Sequence, residues 1–142
     1  MGNFLNREAL LKRQVLEIKK VEFENGDFVF VKEMSAGDRD MYEKTLTKAI
    51  RNGKGVLTGY ETIMENFRSK LACATLCDEE GQLMLKPEDV PALSQAMGIV
   101  RMDKIIEVAN ALNKITKEDE EEIIKNSSAD QPGSLNSDYV KN

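Results

Sequence analysis

The feature that most constrains this chain is the dipeptide Asn25-Gly26, which joins two segments rich in β-branched and aromatic residues. These segments cover residues 15–24 and 27–34. Asn-Gly suits a two-residue type I′ turn, because both central residues of that turn need a positive φ. The sequence therefore predicts a β-hairpin over about residues 15–34.

The position of this turn also predicts the hairpin register. A loop made of residues 25 and 26 alone pairs Phe23 with Phe28 and Val21 with Phe30. Cross-strand partners lie on the same face of a hairpin. We therefore expect these four apolar side chains to form one buried face.

Apolar spacings typical of helices dominate the chain after the hairpin. Ser35 followed by Asp38 resembles a capping box with Asp in place of Glu, and it predicts a helix that continues to about Arg51. A loop over residues 52–60 and a short extended piece over 82–85 are also expected. The other predicted helices are a short one at 4–13 with Asn6 as its cap, and longer ones at about 61–77, 87–97 and 102–115, with a last one beginning at 116–119. The predicted buried stripes are Tyr42, Leu46, Ala49 and Ile50 in the helix that ends near Arg51, Val90, Leu93 and Met97 at 87–97, and Met102, Ile105, Ile106, Ala109 and Leu112 at 102–115.

These elements predict an α+β fold that is mainly α. Residues 1–126 are expected to form one domain, because 142 residues suit a single hydrophobic core. It contains the N-terminal hairpin and then a small bundle of four to five helices over about residues 35–125. Residues 127–142 are rich in Ser, Asp, Asn and Gly without any period, and we interpret them as a disordered tail or linker.

The absence of histidine excludes the most common catalytic sites. The chain has no His, so it lacks the usual general base, the Ser-His and Cys-His nucleophile pairs and the most frequent metal ligand. Carboxylates and lysines remain available for acid–base chemistry, but only in a pocket that shifts their pKa. We therefore predict no catalytic, cofactor-binding or metal-binding residue and no cofactor, and expect that the protein is not an enzyme.

Cys73 and Cys77 lie four residues apart on one face of the helix predicted at 61–77. A structural zinc site needs four ligands, and the chain offers neither a third Cys nor any His. The spacing also differs from that of a Cys-x-x-Cys redox pair. We interpret both cysteines as small buried residues.

Three other short motifs have ordinary structural interpretations. Gly-Lys-Gly at 53–55 lacks the spacing of a phosphate-binding loop and indicates a connector. The acidic stretch at 78–81 lacks the alternating ligands of a calcium loop and indicates a turn. The five consecutive acids at 118–122 indicate an exposed helix start, with contact to a basic partner as the alternative.

Charge and hydropathy leave protein binding as the remaining class of function. The net charge of −5 disfavours binding to a nucleic-acid backbone. No apolar run is long enough to span a membrane, and the first residues do not resemble a signal peptide, so we expect a cytoplasmic location. The seven methionines suit adaptable packing, but ordinary core packing is the favoured explanation for them.

The order of several motifs along the chain resembles a known family. The motifs lie at residues 28–40 (FVFVKEMSAGDRD), 68–71 (Arg-x-x-Leu), 76–81 (LCDEEG), 88–93 (EDVPAL), 105–113 (Ile-x-x-Val-Ala-Asn-Ala-Leu-Asn), 116–121 (TKEDEE) and 125–126 (Lys-Asn). Over roughly residues 15–126, this arrangement resembles the tail assembly chaperones of long-tailed bacteriophages and prophages.

The resemblance implies a function in the cytoplasm of an infected bacterium. Members of this family bind the long helical tape measure protein, keep it soluble and help tail tube subunits to polymerise around it, and they are absent from the finished virion. Homo-oligomers or several copies on one client are expected. In many members a ribosomal frameshift adds a second domain, which makes residues 127–142 a junction or linker.

The family supplies no catalytic residue and no assigned partner-binding residue, so the partner surface stays unknown at this point. The main alternative function is a small phage virion structural or adaptor protein that acts by protein–protein binding. The other alternative is an enzyme that uses only carboxylates or lysines.

Overall fold

The computed structural model describes residues 2–116, which form an α+β fold as predicted. In chain order, the helices are α1 (Arg7–Leu11), α2 (Ala36–Lys44), α3 (Phe67–Thr75), α4 (Val90–Ala96) and α5 (Ile99–Leu112), and a 3₁₀ turn at Pro87–Asp89 precedes α4. The strands are β1 (Ile18–Glu22), β2 (Phe28–Lys32), β3 (Thr47–Arg51), β4 (Leu57–Thr62) and β5 (Leu76–Cys77). The helix start predicted at 116–119 and the tail predicted at 127–142 extend outside the described residues.

The main sheet has three antiparallel strands in the order β1-β2-β5. Its inner face carries Val21, Phe23 and Val31, which are buried, and the partly buried Val29. These side chains pack against α5, which in turn contacts α3, and together they form the hydrophobic core. The sheet therefore provides the apolar surface on which α5 packs.

The predicted hairpin is present, but its predicted register is wrong. Glu22 pairs with Phe28, and the Phe23 N–H donates to the Asp27 carbonyl at 2.8 Å. The loop between Phe23 and Asp27 therefore has three residues, Glu24 to Gly26, rather than two. The Asn25 side chain accepts from the Asp27 backbone N–H at 3.1 Å and donates to the Asp27 carboxylate at 2.9 Å, which stabilises the longer loop.

This shift of one residue changes which apolar side chains are buried. Side chains alternate between the two faces of a strand, so a one-residue slip moves a whole set to the opposite face. Phe28 and Phe30 therefore lie on the outer face, in edge-to-face contact with ring centroids 5.6 Å apart. Phe28 is 50% exposed, and the Lys20 ammonium lies 4.3 Å from the centroid of its ring.

Helix α5 lies at the centre of the core. Its buried stripe is the one that the sequence predicts, namely Met102, Ile105, Ile106 and Ala109. Ile105 is 0% exposed, as are Ala109 and the facing Val31. The helix contacts α3 on one side and the β1–β2 hairpin on the other, which makes it the element that joins the two layers.

Asn113 connects the end of α5 to the connection between β2 and α2. Its side-chain oxygen accepts from the Met34 N–H at 2.6 Å, and its amide donates to the carbonyls of Ala109 at 2.9 Å and Lys32 at 3.4 Å. The Asn113 carbonyl in turn accepts from Arg39 Nη1 at 2.8 Å. Because Asn113 is buried, these bonds replace the hydrogen bonds to water that its side chain and the Met34 N–H lose on folding.

The start of α2 is predicted correctly, but its end is not. Ser35 Oγ accepts from the Asp38 N–H at 3.1 Å, as a helix cap does. The helix ends at Lys44 rather than near Arg51, and Thr45 caps it, with its hydroxyl donating to the Tyr42 carbonyl at 2.6 Å. Tyr42 and Leu46 are buried as the predicted stripe requires.

The rest of the predicted second helix, and the loop predicted after it, form a second hairpin instead. Strands β3 and β4 pair antiparallel, and Ala49 faces Tyr60 across them. Asn52 closes the turn, since its side-chain oxygen accepts from the N–H groups of Lys54 at 2.8 Å and Val56 at 3.1 Å. Ala49 and Ile50 are exposed, so the apolar spacing that suggested a helix does not bury them.

The remaining predicted helices are present, but their bounds differ from the prediction, and α5 lies at Ile99–Leu112 rather than at 102–115. Helix α3 begins at Phe67 rather than at residue 61, and residues 76–77 leave it to join the main sheet as β5. The piece predicted at 82–85 forms one isolated bridge, between Leu83 and Cys77. Helix α1 is capped by Asn6, whose side chain accepts from the Ala9 N–H at 3.0 Å, but it buries no residue.

Two glycine substitutions test the hairpin turn. Gly26 has a φ of +92°, which L-residues rarely adopt, whereas Gly37 lies in α2 with open space where a Cβ would be. We expect Gly26→Ala to lower the free energy of unfolding by about 1–2 kcal/mol and Gly37→Ala to raise it by about 0.5–1 kcal/mol. Urea titration measures both changes in the free energy of unfolding, provided that the m-value is the same in both variants and in the unchanged chain. Equal effects of the same sign would contradict the described turn.

A second pair of variants tests the Asn113 connection. Asn113→Ala leaves the Met34 N–H without its partner, and we expect a loss of about 1–3 kcal/mol in the free energy of unfolding. Asn6→Ala removes the same kind of side chain from a helix that buries nothing, so a change within about 0.5 kcal/mol is expected. Thermal and urea unfolding compare the two variants. A similar loss of stability in both variants would contradict the conclusion that the Asn113 hydrogen bonds hold the end of α5 to the β2–α2 connection.

Candidate protein-binding groove

An open groove lies where the beginnings of α3 and α5 meet the end of α4, and it has a volume of about 500 Å³. We call it the methionine groove. It is lined by Met64, Asn66, Phe67, Arg68, Ser69, Ser94, Met97, Ile99, Met102 and Ile106. Three of these ten residues are methionines, so a large part of the lining is apolar and adaptable.

The ends of the helices place these side chains together. Met64 lies in the turn before α3, where its carbonyl accepts from the Phe67 N–H at 3.2 Å. Asn66 adopts a φ of +55°, a left-handed conformation that directs the chain into α3. On the other side, Met97 ends α4, and Gly98 begins α5 by accepting from the Met102 N–H at 3.0 Å. The groove is thus built from connections between helices.

The lining becomes more buried from the rim to the core. Ile99 and Met64 are 55% and 42% exposed and form the rim. Phe67 and Met97 are half-buried and pack against the core, while Met102 and Ile106 belong to it. An apolar side chain that enters here would contact core atoms without any rearrangement of the fold.

A short polar contact lies at one side of the groove. The Ser94 hydroxyl donates to Ser69 Oγ at 2.6 Å and so connects α4 with α3. Ser69 is buried, and this bond satisfies its hydroxyl. These two hydroxyls are therefore bonded to each other, and they hold α4 against α3 at this side of the groove.

The one charged side chain in the lining of the groove is basic. It is Arg68, among the described residues that line the groove. Its Nε lies 3.4 Å from Asp103 Oδ1, and both side chains are exposed. The N-terminal ends of α3 and α5 also lie at the groove, and neither has a side-chain cap. Helix N-termini carry partial positive charge, so they add to the charge of Arg68.

Groups of exposed apolar side chains also lie outside the groove. The segment before β1 exposes apolar residues along its length, and so does the β3–β4 hairpin. These residues are Phe4, Leu5, Leu10, Leu11 and Val15 in the first, and Ile50, Val56, Leu57 and Tyr60 in the second. Exposed apolar side chains close together are typical of surfaces that bind other proteins.

The two cysteines are buried and free, as predicted, but they do not share a helix face. Cys73 lies on α3, whereas Cys77 lies on β5. Burial raises the pKa of the Cys73 thiol to about 11, and the negative charge of Asp89 adds to this effect. Burial likewise raises the pKa of Cys77. Both thiols are therefore protonated near neutral pH.

The other motifs considered from sequence occupy turns or lie outside the described residues. Residues 53–55 belong to the β3–β4 turn, and Asp78 Oδ1 accepts from the N–H groups of Glu80 and Gln82, each at 2.9 Å. Residues 118–122 are not described. Within residues 2–116, no group of His, Cys, Asp or Glu is placed to hold a metal ion. In the same part of the chain, no helix has the length and apolarity to cross a membrane.

No residue of the methionine groove was predicted as a partner-binding residue. Met97 and Met102 were predicted as buried residues of separate helices, and Met64 was not singled out. The lining comes from residues 64–69 and 94–106, which meet only after α3 packs on α5. The one available signal was the placement of methionines near the ends of predicted helices.

Comparison with known proteins gives a match at the level of fold. No protein-family model and no curated protein matches the chain. The solved structure of the bacteriophage HK97 tail assembly chaperone is similar, with a TM-score of 0.52 and 15% sequence identity. The match covers 78% of this chain and 94% of that one, so nearly the whole fold of the HK97 protein is represented.

Thiol modification tests the described environment of the cysteines. Because the folded pKa of Cys73 lies above its ordinary value of 9.0, we expect alkylation by iodoacetamide at about pH 8 to be limited by unfolding. The protonated thiol stabilises the fold below pH 9.0, and this contribution is lost as the pH rises through about 11. Mass spectrometry of native and urea-unfolded protein measures the rates. Alkylation of the native thiols at the rate of a free cysteine would contradict their burial.

Proposed function

We propose that this protein is a phage tail assembly chaperone that binds the tape measure protein, keeps it soluble and promotes polymerisation of the tail tube. The observation that carries the proposal is the fold shared with the HK97 tail assembly chaperone across most of both chains. The order of motifs over residues 15–126 supports the same family independently of the coordinates. We further propose that the protein acts in the host cytoplasm, is not an enzyme and does not remain in the finished virion.

The exposed apolar surfaces support a function in holding another protein. A long helical client with apolar stripes aggregates unless those stripes are covered. A chaperone without its own source of energy can cover them only by binding, and it needs a surface that accepts many sequences. The three methionines of the methionine groove supply such a surface, because unbranched thioether side chains adapt their shape to different partners.

The β3–β4 hairpin supports the proposal that several copies act together. It is a separate two-stranded sheet, and every residue of β3 is exposed. Open strand edges pair readily with other chains, and isolated two-stranded sheets are only marginally stable in water. Contact between neighbouring copies through this hairpin would stabilise it and would place several chaperones along one client.

A longer form of the protein is also part of the proposal. The resemblance to tail assembly chaperones implies a ribosomal frameshift near the end of the reading frame, which would make residues 127–142 the junction with a further domain. The nucleotide sequence around codons 110–142 tests this directly. A slippery heptamer followed by an overlapping frame is expected, and the lack of both would restrict the proposal to the form given by this sequence.

Co-expression with the tape measure gene of the same phage tests the proposed function. We expect the tape measure protein to move from the insoluble to the soluble fraction and to elute with this chain in gel filtration. The control is co-expression with an unrelated acidic protein of similar size. A tape measure protein that stays insoluble, with no complex, would refute the chaperone function. Detection of this chain in purified virions by mass spectrometry would instead favour a virion structural protein.

A further inference from the structure

The walls of the methionine groove restrict the conformation that an occupant can adopt. The described lining residues belong to α3, α4 and α5 and to the connections beside these helices, and none of them belongs to a strand. The groove therefore offers no open sheet edge to which a strand could be added. A segment that buries apolar side chains here must therefore satisfy its own backbone, and an α-helix does so.

The lining also restricts the side chains that fit. The apolar members of the lining lie both at the rim, where Met64 and Ile99 are exposed, and in the core, to which Ile106 belongs. Apolar side chains presented between helices are the kind of surface that accepts the stripe of an amphipathic helix, formed by residues at i, i+3, i+4 and i+7. The flexible methionines allow several such stripes to fit without one fixed sequence.

The charge of the groove determines what lies beside that stripe. Arg68 and the uncapped starts of α3 and α5 are positive, and no described lining residue is acidic. The contact of Arg68 with Asp103 is an exposed ion pair, which contributes little to stability. Arg68 can therefore exchange Asp103 for a carboxylate of the occupant at small cost. A helix that carries Glu or Asp next to its apolar stripe complements the positive charge of Arg68 and the partial positive charge of the two helix starts.

We propose that the methionine groove is the client-binding site, and that it receives an amphipathic client helix with carboxylates flanking its apolar stripe. This inference rests on the proposed chaperone function and assigns it to a surface. Arg68 pairs with the client carboxylate, and Met64, Met97 and Ile99 contact the stripe. Clients with basic residues at those flanking positions bind more weakly.

The test uses two synthetic helical peptides and three variants of the full chain. The peptides share one apolar stripe and differ only in having Glu or Lys beside it. Ile99→Asp places a charge on the rim at the start of α5, where an acidic residue suits the helix and the fold is retained. Met41→Asp is the matched control, because Met41 is 65% exposed on α2 and does not line the groove. Arg68→Glu reverses the charge, and circular dichroism verifies that each variant is folded.

Fluorescence anisotropy gives the dissociation constants. We expect the wild-type chain to prefer the Glu peptide, Ile99→Asp to weaken its binding about ten-fold or more, and Met41→Asp to leave it unchanged. Arg68→Glu should reverse the preference in favour of the Lys peptide. Equal binding of both peptides by the wild-type chain, or equal effects of Ile99→Asp and Met41→Asp, would overturn the proposal.

Capture of the tape measure protein separates this inference from the function on which it rests. Capture by the wild-type chain and equally by Ile99→Asp would refute the groove as the site but retain the chaperone function. No capture by the wild-type chain would refute the function itself. If Ile99→Asp changes only the oligomeric state, the groove is a contact between copies and the proposal is wrong. Tighter peptide binding after deletion of residues 2–16 would likewise assign the groove to the chain's own N-terminal segment.

Discussion

Burial of the apolar stripe of α5 is the interaction on which the other elements depend. Ile105 and Ala109 lose all contact with solvent between the inner face of the main sheet and α3, where Val31 and Leu71 are equally inaccessible. Since hydrophobic stabilisation scales with the apolar area removed from water, these contacts supply much of the driving force for folding. They also fix where the helix begins. The methionine groove exists because the first turn of α5 extends past the region where α3 and the sheet cover it completely.

The elements that could be predicted from the sequence are those with one clear period or one clear turn signal. The stripe from Met102 to Ala109 has helical spacing alone, and Ser35 caps α2 as its sequence indicates. Prediction failed where the pattern was consistent with two structures. Tyr42, Leu46, Ala49 and Ile50 have helical spacing, yet the chain leaves the helix after Lys44 and the last two residues enter a strand. The register of the first hairpin depends on hydrogen bonds between Asn25 and Asp27, and the pattern of apolar residues does not predict these bonds.

The candidate site could not be predicted because it belongs to no one segment. Residues of its lining are separated by up to about forty positions and come together only through the packing of α3, α4 and α5. Each methionine taken alone indicates ordinary core packing, and its position at a groove depends on where three helices end. The likeness to the HK97 tail assembly chaperone shows the same fold at 15% identity, where few side chains are shared. Surface properties such as charge and exposed methionines must therefore be argued from this chain itself.

Helix α1 has a consequence for how a complex could come apart. It has five residues, it buries none of them, and helices this short are unstable in water without tertiary contacts. Any partner that takes up Leu10 and Leu11 must first order the segment, and the lost conformational entropy reduces the affinity gained per unit of buried area. A contact made through this segment would therefore be more readily reversible than one made through a helix that is already packed on the core.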